Sequence, residues 1–159
     1  KNISHIGVGL LIFGIAAVST LEEEIIKEVK VGDRFILEGY EITFNGVKRE
    51  ANSNYISDLG FLSINGESGT FTLVPEKRFY SSQEAVTSEV AIKKYISHDV
   101  YAVLGDFRRP KNSSENYWVL RIYIKPFINF IWFGSFFVAL GGFISLFTKK
   151  RNFSKNVRI

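Results

Sequence analysis

Phe127–Phe147 runs FINFIWFGSFFVALGGFISLF, 21 residues without a charge. As a helix it covers ~31 Å, enough to cross the hydrocarbon core of a bilayer. Core helices of soluble domains rarely run so far without a charged residue, so this stretch is read as a membrane span. Pro126 stands where the first helical position is expected, because its fixed φ and missing N–H cost nothing there. Trp132 and neighbouring phenylalanines crowd the entry side, and Lys149-Lys150-Arg151 closes the exit. The span decides the expected fold class: a membrane protein in which two transmembrane α-helices flank a mostly-β extracytoplasmic domain, either an antiparallel sheet or a small barrel.

The other helix is expected at the opposite end. Ile6–Val18 (IGVGLLIFGIAAV) is continuously apolar, and Ile3–Leu21 extends it to 19 residues with Ser4, His5, Ser19 and Thr20 inside. That length is ~28 Å, sufficient with slight tilt. A signal peptide is the competing reading, with a basic start and small residues near Ala16–Ser19. Only one basic residue precedes the stretch, a histidine interrupts it, and a second span follows downstream, all of which favour a transmembrane hairpin. A chain without Met that starts at Lys1 is expected to be part of a longer polypeptide. The expected segments are 1–21 as a transmembrane helix, 22–125 as the extracytoplasmic β domain, 126–148 as a second transmembrane helix and 149–159 as a basic cytoplasmic tail.

Charge agrees with that division. All 16 acidic residues lie between Glu22 and Glu115, and Glu22–Lys125 carries 14 of the 20 basic ones, a net of −2. Lys1 and the five basic residues from Lys149 to Arg158 lie outside the two apolar stretches. A nucleic-acid binder gathers its basic residues on a folded domain, so no nucleic-acid partner is expected. Excess Lys and Arg mark the cytoplasmic side, which places both termini there and residues 22–125 in the periplasm or its mitochondrial equivalent. Hydrophobic residues make up 46% of the chain and aromatics 15%, too much for a disordered protein. The absence of Cys removes disulfides, Cys-ligated metals and thiol nucleophiles.

Within residues 22–125 the pattern is mostly of period two. Phe35, Leu37, Tyr40, Ile42 and Phe44 end at Asn45-Gly46, a hairpin signal, and Asn65-Gly66 separates Tyr55–Ile64 from Thr70–Val74. Asp99–Leu104 is a further strand. Tyr117–Ile124 alternates with Trp118, Leu120, Ile122 and Ile124 on one face. Glu22–Lys30 is a turn or short strand, Glu84–Tyr95 one short helix, and Asp106–Asn116 a loop. Six or seven short strands result.

Candidate chemistry is sparse. His98 adjoins Asp99, but neighbours in a strand point to opposite faces, so a histidine at a turn is the better reading than a catalytic pair. No GxSxG elbow, metal-ligand spacing or phosphate-cradling loop is present. His5 lies inside an apolar helix, where ionisable groups are rare and usually functional. It is either an axial ligand of haem iron, with Gly7 and Gly9 letting the flat ring approach, or a histidine near the interface that bonds locally. A bis-His site needs a second histidine at that depth, and neither span contains one. Gly7 and Gly14, and Gly134 and Gly141, recur one heptad apart, with Gly142 and the Ser135/Ala139 pair beside the latter. They form either a helix-packing seam or the ordinary glycine content of membrane helices.

Ser4–Val18 (SHIGVGLLIFGIAAV), Pro75–Tyr80 (PEKRFY) with Asp99–Gly105 (DVYAVLG), and Arg121–Phe127 (RIYIKPF) running into Ile131–Gly134 (IWFG) and Leu140–Gly142 form an ordered set. Together, over essentially the whole chain, they resemble the carboxy-terminal part of the CcmF family of cytochrome c biogenesis proteins, also called cytochrome c haem lyase, and its NrfE-type relatives. The resemblance implies a polytopic protein of the bacterial inner membrane, or of the mitochondrial one, that helps transfer haem to apocytochrome c. It implies haem supplied by the tethered chaperone CcmE and attached together with CcmH. It also implies a b-type haem held within the membrane by histidines on two helices, of which His5 matches the later, so the ligand reading is favoured. The second axial histidine is then expected on helices of the same protein outside this sequence. The family's tryptophan-rich haem-handling segment is not in this chain, which alone is therefore not expected to carry out the ligation. The competing reading is a membrane-anchored β domain that scaffolds an assembly without a cofactor.

Overall fold

The structure, a computed structural model, describes residues 2–80, 85–109 and 115–156. The chain falls into two compact units, one built from the two terminal helices with Ile96–His98, the other from Glu23–Tyr95 and Asp99–Lys125.

The helical unit contains α1 (Asn2–Leu21) and α2 (Ile128–Asn156). Asn2–Leu21 and Ile128–Phe147 are each long and apolar enough to cross a bilayer, and α2 continues past Phe147 to Asn156. Phe127, just before α2, sits in the left-handed region at φ 59°. A bulky residue there costs about 1–3 kcal/mol, and its surroundings hold it. Its N–H donates to the Ser97 carbonyl at 2.8 Å and its own carbonyl accepts from Phe130 N–H at 3.0 Å. Its ring packs edge-on to Phe13, with centroids 5.9 Å apart. Pro126 consequently ends a strand instead of opening the helix, because the left-handed residue after it separates the two elements.

The β unit contains β1 (Glu23–Val29), β2 (Arg34–Leu37), β3 (Tyr40–Ala51), β4 (Ile56–Gly66), β5 (Gly69–Leu73), β6 (Glu76–Tyr80), β7 (Ala85–Glu89), β8 (Ala91–Lys94), β9 (His98–Arg108) and β10 (Tyr117–Pro126). They form a four-stranded sheet ordered β1-β10-β9-β8 and a six-stranded sheet with path β2-β3-β4-β6-β7, β5 pairing with β4. One core joins them: Val29, Val100, Ala102, Leu104, Leu120, Ile122 and Ile124 from the first sheet meet Phe35, Ile42, Phe44, Leu62, Ile64 and Leu73 from the second. The result is a β-sandwich, and the alternation of β10 accounts for Leu120, Ile122 and Ile124 on the core face with Trp118 packed at its border.

Three local expectations are corrected. Asn45-Gly46 is not a hairpin turn but a β-bulge inside β3, with Gly46 at φ 132°. The turn lies earlier, at Glu38-Gly39, where both residues have positive φ, 46° and 79°, as the two-residue turn linking β2 and β3 requires. Residues 85–94, expected in a helix, are strands β7 and β8. Val86, Thr87 and Ile92 are β-branched and stiff at χ1, and pairing with β6 and β9 satisfies their backbone; Glu84 lies outside the described residues. Ten strands replace six or seven because β6, β7 and β8 were not recognised.

The Pro75–Tyr80 block has a structural role. Glu76 on β6 pairs directly opposite Glu89 on β7, and Arg78 answers both carboxylates, at 2.8 Å and 3.5 Å. Its guanidinium lies 4.9 Å from the Tyr55 ring centroid. The hydrogen bond from Arg78 holds the Glu76 carboxyl below the usual carboxylate range. Lys77, nearly buried, reaches across to Asp106 of the other sheet, which likewise lowers the Asp106 carboxyl.

Two outcomes are expected from denaturation of the detergent-solubilised chain. Leu62→Ala, at a fully buried position, destabilises it by about 2–5 kcal/mol, whereas Ile36→Ala, 72% exposed, costs under about 0.5 kcal/mol. Because the folded Glu76 carboxyl titrates below its unfolded value, its contribution is complete above the unfolded value and is lost as pH falls through the folded one. The unfolding midpoint therefore declines on acidification below about pH 5, and Glu76→Gln flattens that decline.

Candidate functional site

α1 and α2 run antiparallel and touch backbone to backbone. A Cβ placed on Gly7 would lie 2.6 Å from the Val138 amide nitrogen, on Gly14 2.8 Å from that of Ile131, and on Gly141 2.7 Å from that of Ser4. On Gly134 it would lie 2.5 Å from the Leu11 amide nitrogen and 2.8 Å from the Gly7 carbonyl. Real Cβ atoms essentially never approach so closely, so no larger residue fits these four positions without moving a helix. In lipid, association rests on such close packing because apolar surface gains nothing by leaving hydrocarbon.

Buried Ala17 and half-buried Ser4 complete the seam on α1. The spacing Ser4, Gly7, Gly14, Ala17 follows the helical period, so both were readable from the sequence, although only the glycines were singled out. On α2 the seam is narrower than expected. A Cβ on Gly142 would meet open space, and Ser135 and Ala139 are exposed. At 3.6 residues per turn these three lie ~80°, ~100° and ~140° round α2 from Gly134. Ser135 Oγ donates to its own helix instead, to the Ile131 carbonyl at 2.8 Å.

The seam fixes what the rest of α1 presents. His5 lies ~160° round the helix from Gly7, with Gly9 ~40° and Ala16 ~20° from it. His5, Gly9, Ile12 and Ala16 are all exposed, and nothing lies within 4 Å of a Cβ built on Gly9. Gly7 and Gly9, paired in the sequence reading as approach positions for a ring, are thus separated: Gly7 is occupied by α2 and only Gly9 is open beside His5. The face opposite the seam therefore carries one imidazole with Gly9 open beside it, and Ile12 and Ala16 further along the helix.

His98 is placed differently. Its Nδ1 lies 2.9 Å from Ser97 Oγ, while the buried Asp99 carboxylate accepts from Tyr101 Oη at 3.4 Å. Adjacent segments tie to α2, whose Asn129 side chain donates to the Ile96 carbonyl at 2.9 Å. Among the described residues no three or more His, Asp or Glu gather as a metal-binding group.

Residues 20–126 match the family model described as CcmF C-terminal beta-sandwich. The cytochrome c-type biogenesis protein CcmF of Haemophilus influenzae is 33% identical over 153 residues, which are 96% of this chain and 23% of that protein. CcmF of Escherichia coli is 32% identical over 145 residues, 91% of this chain and 22% of that protein. A probable cytochrome c-type biogenesis protein NrfE, also from Escherichia coli, is 28% identical over 90% of this chain. The solved structure titled Cytochrome c Heme Lyase CcmF superposes with a TM-score of 0.68 at 20% identity, over 87% of this chain and 23% of that one; it shares the fold. The chain spans about a quarter of the length of the relatives it matches.

The two α2 glycines that differ in environment make a paired test. Gly134→Ile, forced against the Leu11 backbone, is expected to destabilise the helix pair by about 1–3 kcal/mol. Gly142→Ile, facing open space, is expected to leave it within about 0.5 kcal/mol. Titration of the chain from mild detergent into dodecyl sulfate, followed by far-UV circular dichroism, measures both.

Proposed function

From its membership of the CcmF family, established by the match of residues 20–126, we propose that this chain is the carboxy-terminal part of a membrane protein of cytochrome c maturation that helps transfer haem to apocytochrome c. In this reading His5 is one axial ligand of a b-type haem embedded in the membrane. The observation that carries it is the placement of His5: the chain's one histidine within an apolar helix is turned away from the helix–helix seam and sits beside an open glycine.

The residues fit one half of such a site. His5 would supply a ring nitrogen to the iron, Gly9 would admit the porphyrin edge, and Gly7, Gly14, Gly134 and Gly141 would hold α1 at the rotation that presents both. A bound haem supplies redox-active iron whose potential its axial ligands set. The only other histidine, His98, is the first residue of β9, so the opposite ligand comes from another helix of the longer protein. The helices cross the inner membrane with both ends of this chain on the cytoplasmic side and residues 22–125 outside it, in keeping with the basic residues flanking the spans. CcmE, CcmH and apocytochrome c are the partners this reading entails, and the remaining helices and lipid cover the outer faces of α1 and α2.

Absorption spectra and pyridine-haemochrome content of the full-length protein test the assignment. His5→Ala is expected to remove the low-spin b-type bands and to lower haem content at least about tenfold, while protein yield and the far-UV spectrum stay unchanged. Gly9→Leu is expected to lower haem content with His5 intact. An unaltered spectrum in His5→Ala would falsify the ligand role and leave a scaffold without cofactor.

A further inference from the structure

Ile96, in the connection between β8 and β9, is 92% exposed, more than any other large aliphatic residue among those described. Exposure alone carries no message, since single apolar residues are common at protein surfaces; Ile36 of β2 is 72% exposed. What sets Ile96 apart is where its backbone is fixed. The Ile96 carbonyl accepts from the Asn129 side chain at 2.9 Å. The next carbonyl, that of Ser97, accepts from Phe127 N–H at 2.8 Å. Asn129 is the second residue of α2 and of the apolar stretch Ile128–Phe147. Two hydrogen bonds therefore hold Ile96–His98 at the level where that span begins, in the same compact unit as the helices. Turns that face water favour Gly, Asn, Asp, Pro and Ser, and an isoleucine held bare at this level gains by meeting lipid.

The side of α2 that carries Asn129 is built for lipid. Trp132, Phe133 and Phe136 lie ~60°, ~40° and ~20° round the helix from Asn129, whereas the seam glycines Gly134 and Gly141 lie ~140° and ~120° away. All three aromatic residues are exposed. Helices that pack on one another in lipid meet through small residues, as α1 and α2 do; this face has bulky rings instead. Tryptophan gathers where a bilayer meets water, and Trp132 stands ~4.5 Å along the axis from Asn129. Ser97 and His98, with Oγ and Nδ1 2.9 Å apart, are polar and suit the headgroup layer, so the contact is shallow. We propose that Ile96 inserts into the interfacial layer of the bilayer beside the Trp132 face of α2, giving the chain a lipid contact outside its two spans. The inference rests on α2 lying in a membrane and does not depend on His5.

A spin label measures the contact. This chain has no Cys, so in the full-length protein, freed of any thiol elsewhere, Ile96→Cys carries the one nitroxide. Ile36→Cys and Phe133→Cys, both at exposed positions, are labelled in separate preparations. Each is placed in phosphatidylcholine nanodiscs, and collision of the label with oxygen, which concentrates in lipid, is compared with collision with a water-soluble nickel chelate. The oxygen-to-nickel ratio at Ile96→Cys is expected to exceed that at Ile36→Cys several-fold. A ratio no higher than at Ile36→Cys puts Ile96 in water, and an immobilised label that meets neither reagent puts it against another helix; either result would overturn the proposal. Phe133→Cys reports on the span by itself, so failure at position 96 is distinguishable from failure of α2 to lie in lipid.

Discussion

A Cβ on Gly134 would lie 2.5 Å from the amide nitrogen of Leu11; the contact between α1 and α2 is thus made by backbone, and a helix packed on its backbone cannot rotate. Four glycines lock the two helices at one rotation, and every other residue of α1 inherits its direction from that. His5 faces away from α2 because Gly7 faces toward it. The seam residues and the outward strip of His5, Gly9 and Ala16 are two consequences of one helical period. A helix held by large interdigitating side chains has more than one way to repack, whereas one held by glycine-to-backbone contacts has few.

In the sandwich the comparable constraint is the bulge at Asn45-Gly46. Before it, Ile42 and Phe44 point into the core; after it, the inward positions are Val47 and Arg49. The shift sets Val47 opposite Gly60 and Arg49 opposite Asp58. Without the extra residue, Lys48 would stand opposite Asp58, and the planar two-armed grip would be replaced by a point charge. Gly46 tolerates φ 132° where a side chain would be strained. One inserted residue thus puts Val47 and Arg49, rather than Gly46 and Lys48, on the core-side face of β3.

How much of this the sequence revealed follows from how local each signal is. The two spans were legible because their signal is length without charge, which needs no partner. β10 was legible because its alternation reports a core on one side. The Asn45-Gly46 pair signalled a break in regular pairing, but turn and bulge use the same backbone preference, and only the register with β4 separates them. Residues 85–94 mix polar and β-branched residues without a clear period, and their strand character comes from β6 and β9 alongside. The seam glycines were visible by spacing, yet which of them met α2 depended on a rotation that no single helix states. Arg49 and Asp58 carried no signal at all, since their pairing exists only after the bulge sets the register.

The helical unit and the sandwich are each held by a different device. On α1 an exposed histidine, His5, stands in an apolar helix, where ionisable groups are rare. In the sandwich the buried Asp58 carboxylate orients the Arg49 guanidinium, and the Asn116 side chain accepts from Arg109. The two units' independent construction, one by glycine packing and the other by a bulge, allows each to be altered without unmaking the other.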